Sequence, residues 1–241
     1  MIREVDKSTP RVRRMFGQIA DRYDFLNHLL SLNTDRYWRW RAVRGVPIAE
    51  GDAILDICTG TGDLALAFHR HSRGRARVVG ADFCHEMLVI GASKGKRPGT
   101  DGRVSWVEAD AQRLPFPDNS FQIVSVAFGL RNIADTDRGL QEMTRVCSRG
   151  GTVVILEFSL PRLAPLRAAY GAYFRHVLPR IGQLLARNQE DAYNYLPASV
   201  GQFPQGESLA DLMRRAGLSA VRWHALTFGV VTLYLGRKEA G

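Results

Sequence analysis

The stretch LDICTGTGDLA, residues 55–65, stops an apolar run at Asp56 and follows it with small residues, Gly60, Gly62 and a second acid, Asp63. A Gly-x-Gly turn after a strand lets backbone approach a bound nucleotide closely. Gly60-x-Gly62-x-x-Ala65 also fits the dinucleotide fingerprint, with Asp82 at the distance where an acid meets a ribose. Dehydrogenases and nucleoside-binding transferases share this unit, so the neighbouring segments must decide between them.

Outward from that turn, apolar runs at 53–58, 76–82, 103–110, 121–128 and 152–158 read as strands, and 63–71, 85–94 and 135–147 carry helical patterns between them. Two further extended runs around Gly229 have no helix between them and should return antiparallel. The expected fold is α/β: a Rossmann-like, doubly wound, mainly parallel seven-stranded sheet, with N-terminal helices and a helical insertion before the last two strands. In such a sheet ligands sit beyond the carboxyl ends of the strands.

Those ends carry acids. The first strand ends at Asp56, the second at Asp82 and the third at Asp110 with Ala111. Asp56 suits a ligand bearing an ammonium group and would repel a pyrophosphate. Asp82 can accept from ribose hydroxyls, and Asp110 with the Ala111 N–H can read the edge of an adenine. Together they fit a cationic nucleoside better than NAD; Asp63 alone reads as a helix cap.

Composition bounds the rest. The 241 residues are 45% hydrophobic, enough for a real core, and show no repeat or linker that would split the chain. The apolar run from Ala225 to Gly236 is shorter than the roughly 20 residues of a membrane-spanning helix. The N-terminal stretch has no apolar h-region, so the protein is expected to stay in the cytoplasm. Cys58, Cys84 and Cys147 lack zinc-site spacing, so reduced thiols and no metal are expected. A net charge of +9 implies attraction to an anionic partner, nucleic acid or lipid head groups among them. From 162 to 189 there are Arg162, Arg167, Arg175, Arg180 and Arg187 but no acid, on an apolar helical pattern. That segment could cover a cavity or meet anionic lipid.

The segments 56–63, GADFCHEML (80–88) and DAQRLPFP (110–117) resemble the successive binding motifs of class I S-adenosylmethionine-dependent methyltransferases. More specifically, 16–39, FGLRNIADTDRGLQEMTRV (128–146), GTVVILEFSLP (151–161), HVLPRIG (176–182) and DAYNYLPASVGQFP (191–204) resemble the ubiquinone/menaquinone C-methyltransferase family. The resemblance covers nearly the whole chain. It implies a single methyltransferase domain: a helical cap (1–50), a cofactor-binding core (51–160), a helical insertion facing substrate or membrane (161–205), and a C-terminal helix with strands (206–241).

It further implies S-adenosylmethionine as methyl donor, with Asp56, Gly60, Thr61 and Gly62 around the methionine part, Asp82 on the ribose, Asp110 and Ala111 on the adenine, and Met87 against the adenine face or in the core. The implied acceptor is a polyprenyl quinol, demethylmenaquinol first and a methoxy-benzoquinol second, reached at an anionic membrane surface. Other small aromatic acceptors and, from another class, a basic RNA-binding module are the alternatives; the module is disfavoured because the arginines do not alternate with stacking aromatics. Arg131 is the expected stabiliser of a quinolate and Asn132 orients the same oxygen, while Tyr23, His176 and Tyr193 are candidate proton acceptors or substrate contacts. Asp118 reads as structural. The chain departs from the family pattern at Thr59, Ala127, the SRGG of 148–151 and Phe228.

Overall fold

In the computed structural model, which describes residues 6–96, 104–161, 163–173 and 192–240, the opening stretch forms the centre of the sheet. Strand β1 (Ala53–Ile57) is buried along its whole length, as a strand covered on both faces must be. It pairs in parallel with β2 (Arg77–Asp82) on one side and β4 (Phe121–Ala127) on the other. β3 (Val104–Glu108) extends the sheet beyond β2, and β5 (Cys147–Phe158) extends it beyond β4. β7 (Val231–Lys238) inserts antiparallel between β5 and β6 (Leu218–Leu226), giving the order β3-β2-β1-β4-β5-β7-β6. The seven-stranded, mainly parallel sheet and its antiparallel end are as expected.

Boundaries differ in places: Asp56 lies within β1, one residue before its end, β3 stops at Glu108, two residues before Asp110, and the largest shift is at β5. β5 starts at Cys147, within the expected helix end, because Phe121 pairs with Cys147 before the register shifts and Ile123 pairs with Thr152. The SRGG segment is thus a bulge between two paired stretches, with Gly150 at φ 74° supplying the left-handed residue that a bulge needs. Helix α5 (Thr136–Val146) accordingly ends one residue earlier than its pattern; its start is capped by Asp135, whose Oδ1 accepts from the Arg138 N–H at 2.9 Å.

Side chains alternate across β1, so Leu55 and Ile57 join one apolar cluster and Ile54 the other. The first cluster takes in Leu140 and Met143 of α5 with Leu209 and Met213 of the helix Glu207–Arg215; the second takes in Trp38 and Val43 of α2 (Thr34–Arg44) with Leu64 and Phe68 of α3 (Asp63–His71). A third cluster packs α1 (Thr9–Leu30) over α4 (His85–Gly95) through Val12, Met15, Ile19 and Met87. This lays α1 across the carboxyl ends of the strands. The insertion contributes α6 (Ala164–Ala172) and α7 (Ala192–Gln202), and Glu207–Arg215 is α8. His176, Arg175, Arg180, most of the acid-free segment and the Tyr193 side chain lie outside the described residues.

Candidate active site

Two cavities open where the strands stop. The first is lined by Gly60, Asp82, Asp110, Ala111 and Asn132, together with Cys58, Met87 and Ala127. Asp82 ends β2 almost buried, its Oδ2 accepting from the Gly60 N–H at 2.8 Å and its Oδ1 from the Cys84 N–H at 2.9 Å. Burial dominates its titration and raises its pKa to about 6 despite those backbone bonds. Gly60 sits at φ 56° with only Tyr23 near the place a Cβ would occupy, so the loop backbone is open to the cavity here. Asp110 is exposed, its Oδ1 held by the Gln112 N–H at 2.9 Å. Asn132 Oδ1 is a buried acceptor without a partner among the described residues.

Asp56, Thr61 and Gly62 stand behind this cavity rather than in its lining. Asp56 is buried, raised to about 6 by desolvation, and accepts from Thr59 Oγ1 at 2.6 Å and Ser125 Oγ at 2.8 Å. Thr59, a departure from the family pattern, thus satisfies a buried carboxylate that glycine would leave short of one bond. Thr61 donates to Asp24 of α1 and accepts from Lys94 of α4. Gly62 has a different reason from the expected close approach to ligand: a Cβ there would lie 2.2 Å from Trp106. Gly80 and Gly91 would each place a Cβ 2.8 Å from the same ring, so these glycines form a slot for the indole of β3.

Asp63 is not a side-chain cap but lies in the first turn of α3, paired with Lys94 and with Arg39 at 3.4 Å. His28, Asp35 and Asp63 bring donor atoms within 4.8 Å of one another, and Arg39 and Lys94 already supply the positive charge that cluster needs. The network ties α1, α2, α3 and α4 together, and its Asp35 and Arg39 reach the wall of the second cavity.

The second cavity is aromatic and comes mostly from helices: Met15, Phe16, Tyr23 and Leu26 of α1, Trp38 of α2, Phe158 at the end of β5, Tyr170 of α6, and Tyr195 and Leu196 of α7. Arg131 lines this cavity, whereas its neighbour Asn132 lines the first. The 3₁₀ turn Leu130–Asn132 produces that split. Arg131 is buried, its Nη1 donating to Glu157 Oε1 at 2.6 Å and to the Phe128 carbonyl, and its guanidinium lies 5.3 Å from the Phe158 ring. Among the described residues its Nε has no hydrogen-bond partner, and neither has the Tyr195 hydroxyl. Tyr23 lines both cavities, and burial pushes its phenol above the ordinary range.

Sequence reasoning missed Glu157, although a lone acid closing the apolar run VVIL was a visible signal. It also missed Phe16, Phe128, Tyr170 and Tyr195 as lining, because no spacing links four segments so far apart. Asp118 pairs with Arg145 at 2.8 Å on the surface, in keeping with a structural role. No cysteine is paired: Cys84 and Cys147 are buried and Cys58 partly so.

Residues 4–238 match the ubiE/COQ5 methyltransferase family. The chain is 44% identical over 228 residues to a Geobacter sulfurreducens protein named ubiquinone/menaquinone biosynthesis C-methyltransferase UbiE, covering 95% of this chain and 88% of that one. It is 42% identical to the demethylmenaquinone methyltransferase of Porphyromonas gingivalis, covering 95% and 93%. Among solved structures, a Thermotoga maritima S-adenosylmethionine-dependent methyltransferase, described as a possible histamine N-methyltransferase, superposes with a TM-score of 0.63 at 18% identity, covering 95% of this chain and all of that one. That likeness concerns the fold.

Proposed function

The chain belongs to the ubiE/COQ5 methyltransferase family, and from that premise we propose that it methylates a ring carbon of a polyprenyl quinol with S-adenosylmethionine, converting demethylmenaquinol to menaquinol. The observation that carries this reading is the pair of cavities sharing Phe16, Tyr23 and Phe128, one edged by carboxylates and the other aromatic with a buried arginine. Bound S-adenosylmethionine supplies an electrophilic methyl group. Gly60 takes its methionine part, Asp82 the ribose hydroxyls, and Asp110 with the Ala111 N–H the adenine. Asp56, Thr61 and Gly62 keep the loop in place, and Asn132 Oδ1, without a partner among the described residues, is an acceptor at the same cavity.

In the aromatic cavity the quinol must become electron-rich at carbon. A phenolic pKa of about 10 makes the anion cost roughly 4 kcal/mol at pH 7. Arg131 offsets it by donating from Nε to the quinol oxygen, and as a guanidinium it stays protonated and is not the base. Glu157 and Phe128 hold it in place, so little ordering is left for the reaction itself. With the donor held by Gly60, Asp82 and Asp110, its methyl group would pass from sulfur to the ring carbon that Arg131 keeps electron-rich, and that carbon would then return its proton to the quinolate oxygen or to water.

The chain acts as one methyltransferase domain, with 1–50 as cap, 51–160 as cofactor-binding core and 161–205 as the insertion for substrate or membrane, working at the cytoplasmic face of a membrane. In support, no helix among the described residues is long and apolar enough to cross a membrane, and exposed apolar side chains at Leu29, Leu32, Leu160, Leu163 and Phe228 neighbour segments that line the aromatic cavity. The name of the Geobacter relative covers both quinones, so methylation of 2-polyprenyl-6-methoxy-1,4-benzoquinol is the second reading. Incubation with methyl-labelled donor and each reduced quinone, followed by mass spectrometry, tests both. Label in the naphthoquinol product is expected; label in neither quinone overturns the reading.

A further inference from the structure

The residues common to both cavities are Phe16, Tyr23 and Phe128. All three are aromatic, although leucine or isoleucine would seal such a boundary as well. Phe16 and Tyr23 meet edge to face, with centroids 6.0 Å apart. Phe128 holds a left-handed backbone, φ 60°, which a bulky residue adopts only under strain and which recurs at functional sites. Its N–H donates to the Leu156 carbonyl at 2.7 Å and its carbonyl accepts from Arg131 and from Asn132, fixing the ring where the two cavities meet. The nearby guanidinium groups are already neutralised, Arg131 by Glu157 and Arg39 by Asp35 and Asp63. The Arg131 guanidinium also lies over the Phe158 ring, 5.3 Å from its centroid.

A ring face attracts a cation and not its neutral counterpart. Building on the proposed methyl donor, we infer that Phe16, Tyr23 and Phe128 form a charge-reading partition, which binds the sulfonium centre through its positive charge and favours the methylated over the demethylated ligand. Transfer of the methyl leaves a neutral thioether, so the partition loses its hold on the product as the reaction completes. Tyr23 and its neighbours thereby act in positioning and in ligand discrimination, separately from the carboxylates that hold the nucleoside.

The test is calorimetric titration of S-adenosylmethionine and S-adenosylhomocysteine into the full-length protein, with no turnover involved. Tyr23→Leu and Phe16→Leu should each weaken S-adenosylmethionine about fivefold and leave S-adenosylhomocysteine within a factor of about two. Tyr23→Phe, which keeps the ring, should retain the wild-type ratio. Asp82→Ala should weaken both ligands in parallel, since both carry the ribose. Parallel weakening in Tyr23→Leu, or no weakening of either ligand, would overturn the partition; Phe16→Leu provides the same readout should Tyr23→Leu melt below the assay temperature. Failure of the wild-type protein to bind either ligand would instead overturn the donor assignment on which this inference rests.

Discussion

The two cavities are built by opposite strategies. The carboxylate-edged one is assembled from consecutive strand ends, where the sheet itself brings Gly60, Asp82 and Asp110 together. Its aromatic neighbour is assembled mostly from α1, α2, α6 and α7 around a turn after β4, with Phe158 at the end of β5 as the main contribution of the sheet. The first is therefore rigid and tied to backbone, as a site for an invariant nucleoside should be. The second rests on side-chain packing between helices, and so can vary with the acceptor. What separates them in chemistry is Arg131, which, like the paired Asp35 and Arg39, lines the aromatic side and not the other.

The largest expected effect tests that separation. Arg131→Met should lower kcat by roughly 100-fold or more, the scale of losing one oxyanion donor, while S-adenosylmethionine affinity hardly moves. Raising the pH toward the quinol's own pKa should restore part of the rate where chemistry is limiting. Because Met leaves Glu157 buried without its cation, Glu157→Gln in the same chain controls for that loss. The division is falsified if folded Arg131→Met keeps wild-type single-turnover rates at pH 7, or if its loss lies wholly in donor binding.

The second effect falls on the other side. Asp82→Ala should weaken donor binding by on the order of 1.5 to 3 kcal/mol, the range for a hydrogen bond to a charged group. Acceptor KM should stay near wild type, measured at saturating donor. A change confined to acceptor KM would move Asp82 across the boundary.

How much of this was legible in the chain follows from the same contrast. Asp82 could be placed at a strand end because it closes an apolar run, while Asp56 and Asp110 fall within two residues of one, and in a parallel sheet consecutive strand ends lie side by side. Arg131 and Asn132 were found together, but not their division, since a 3₁₀ turn that aims neighbours into different cavities leaves no periodic trace. The aromatic lining was illegible for a simpler reason. Phe16, Trp38, Phe158 and Tyr195 fit ordinary helix and strand cores equally well, and only tertiary packing turns them toward one space. Gly62 shows the converse: its position was legible and its reason was not, because the partner that forbids a side chain, Trp106, sits on β3.

Gly62→Val gives the third effect and can decide between the two reasons. If the slot for Trp106 is what matters, the variant should lose about 1 to 3 kcal/mol of stability through overpacking, seen by denaturant unfolding. Trp106→Leu should recover part of that loss; the part due to the left-handed φ of 81° should remain. A variant of wild-type stability that no longer binds donor would return Gly62 to the cavity and make the loop, like Gly60, a ligand-facing surface.

The smallest effect uses protons to mark which cavity a carboxylate serves. Asp82 titrates near 6 because burial penalises its charged form, and it is the ionised carboxylate that accepts strongly from ribose hydroxyls. Donor binding should therefore strengthen as pH rises through that value and weaken as pH falls. Between pH 5 and pH 7 the ionised fraction rises from about one tenth to about nine tenths, so affinity should tighten about tenfold. Asp56 has a similar value, yet it is enclosed by Thr59 and Ser125 and stands outside the lining, so its titration should contribute little to binding. Calorimetry on the wild type, Asp82→Asn and Asp56→Asn across that range separates the two. The slope should vanish in Asp82→Asn and persist in Asp56→Asn; the reverse would mean that the carboxylate meeting the donor is the one at the end of β1.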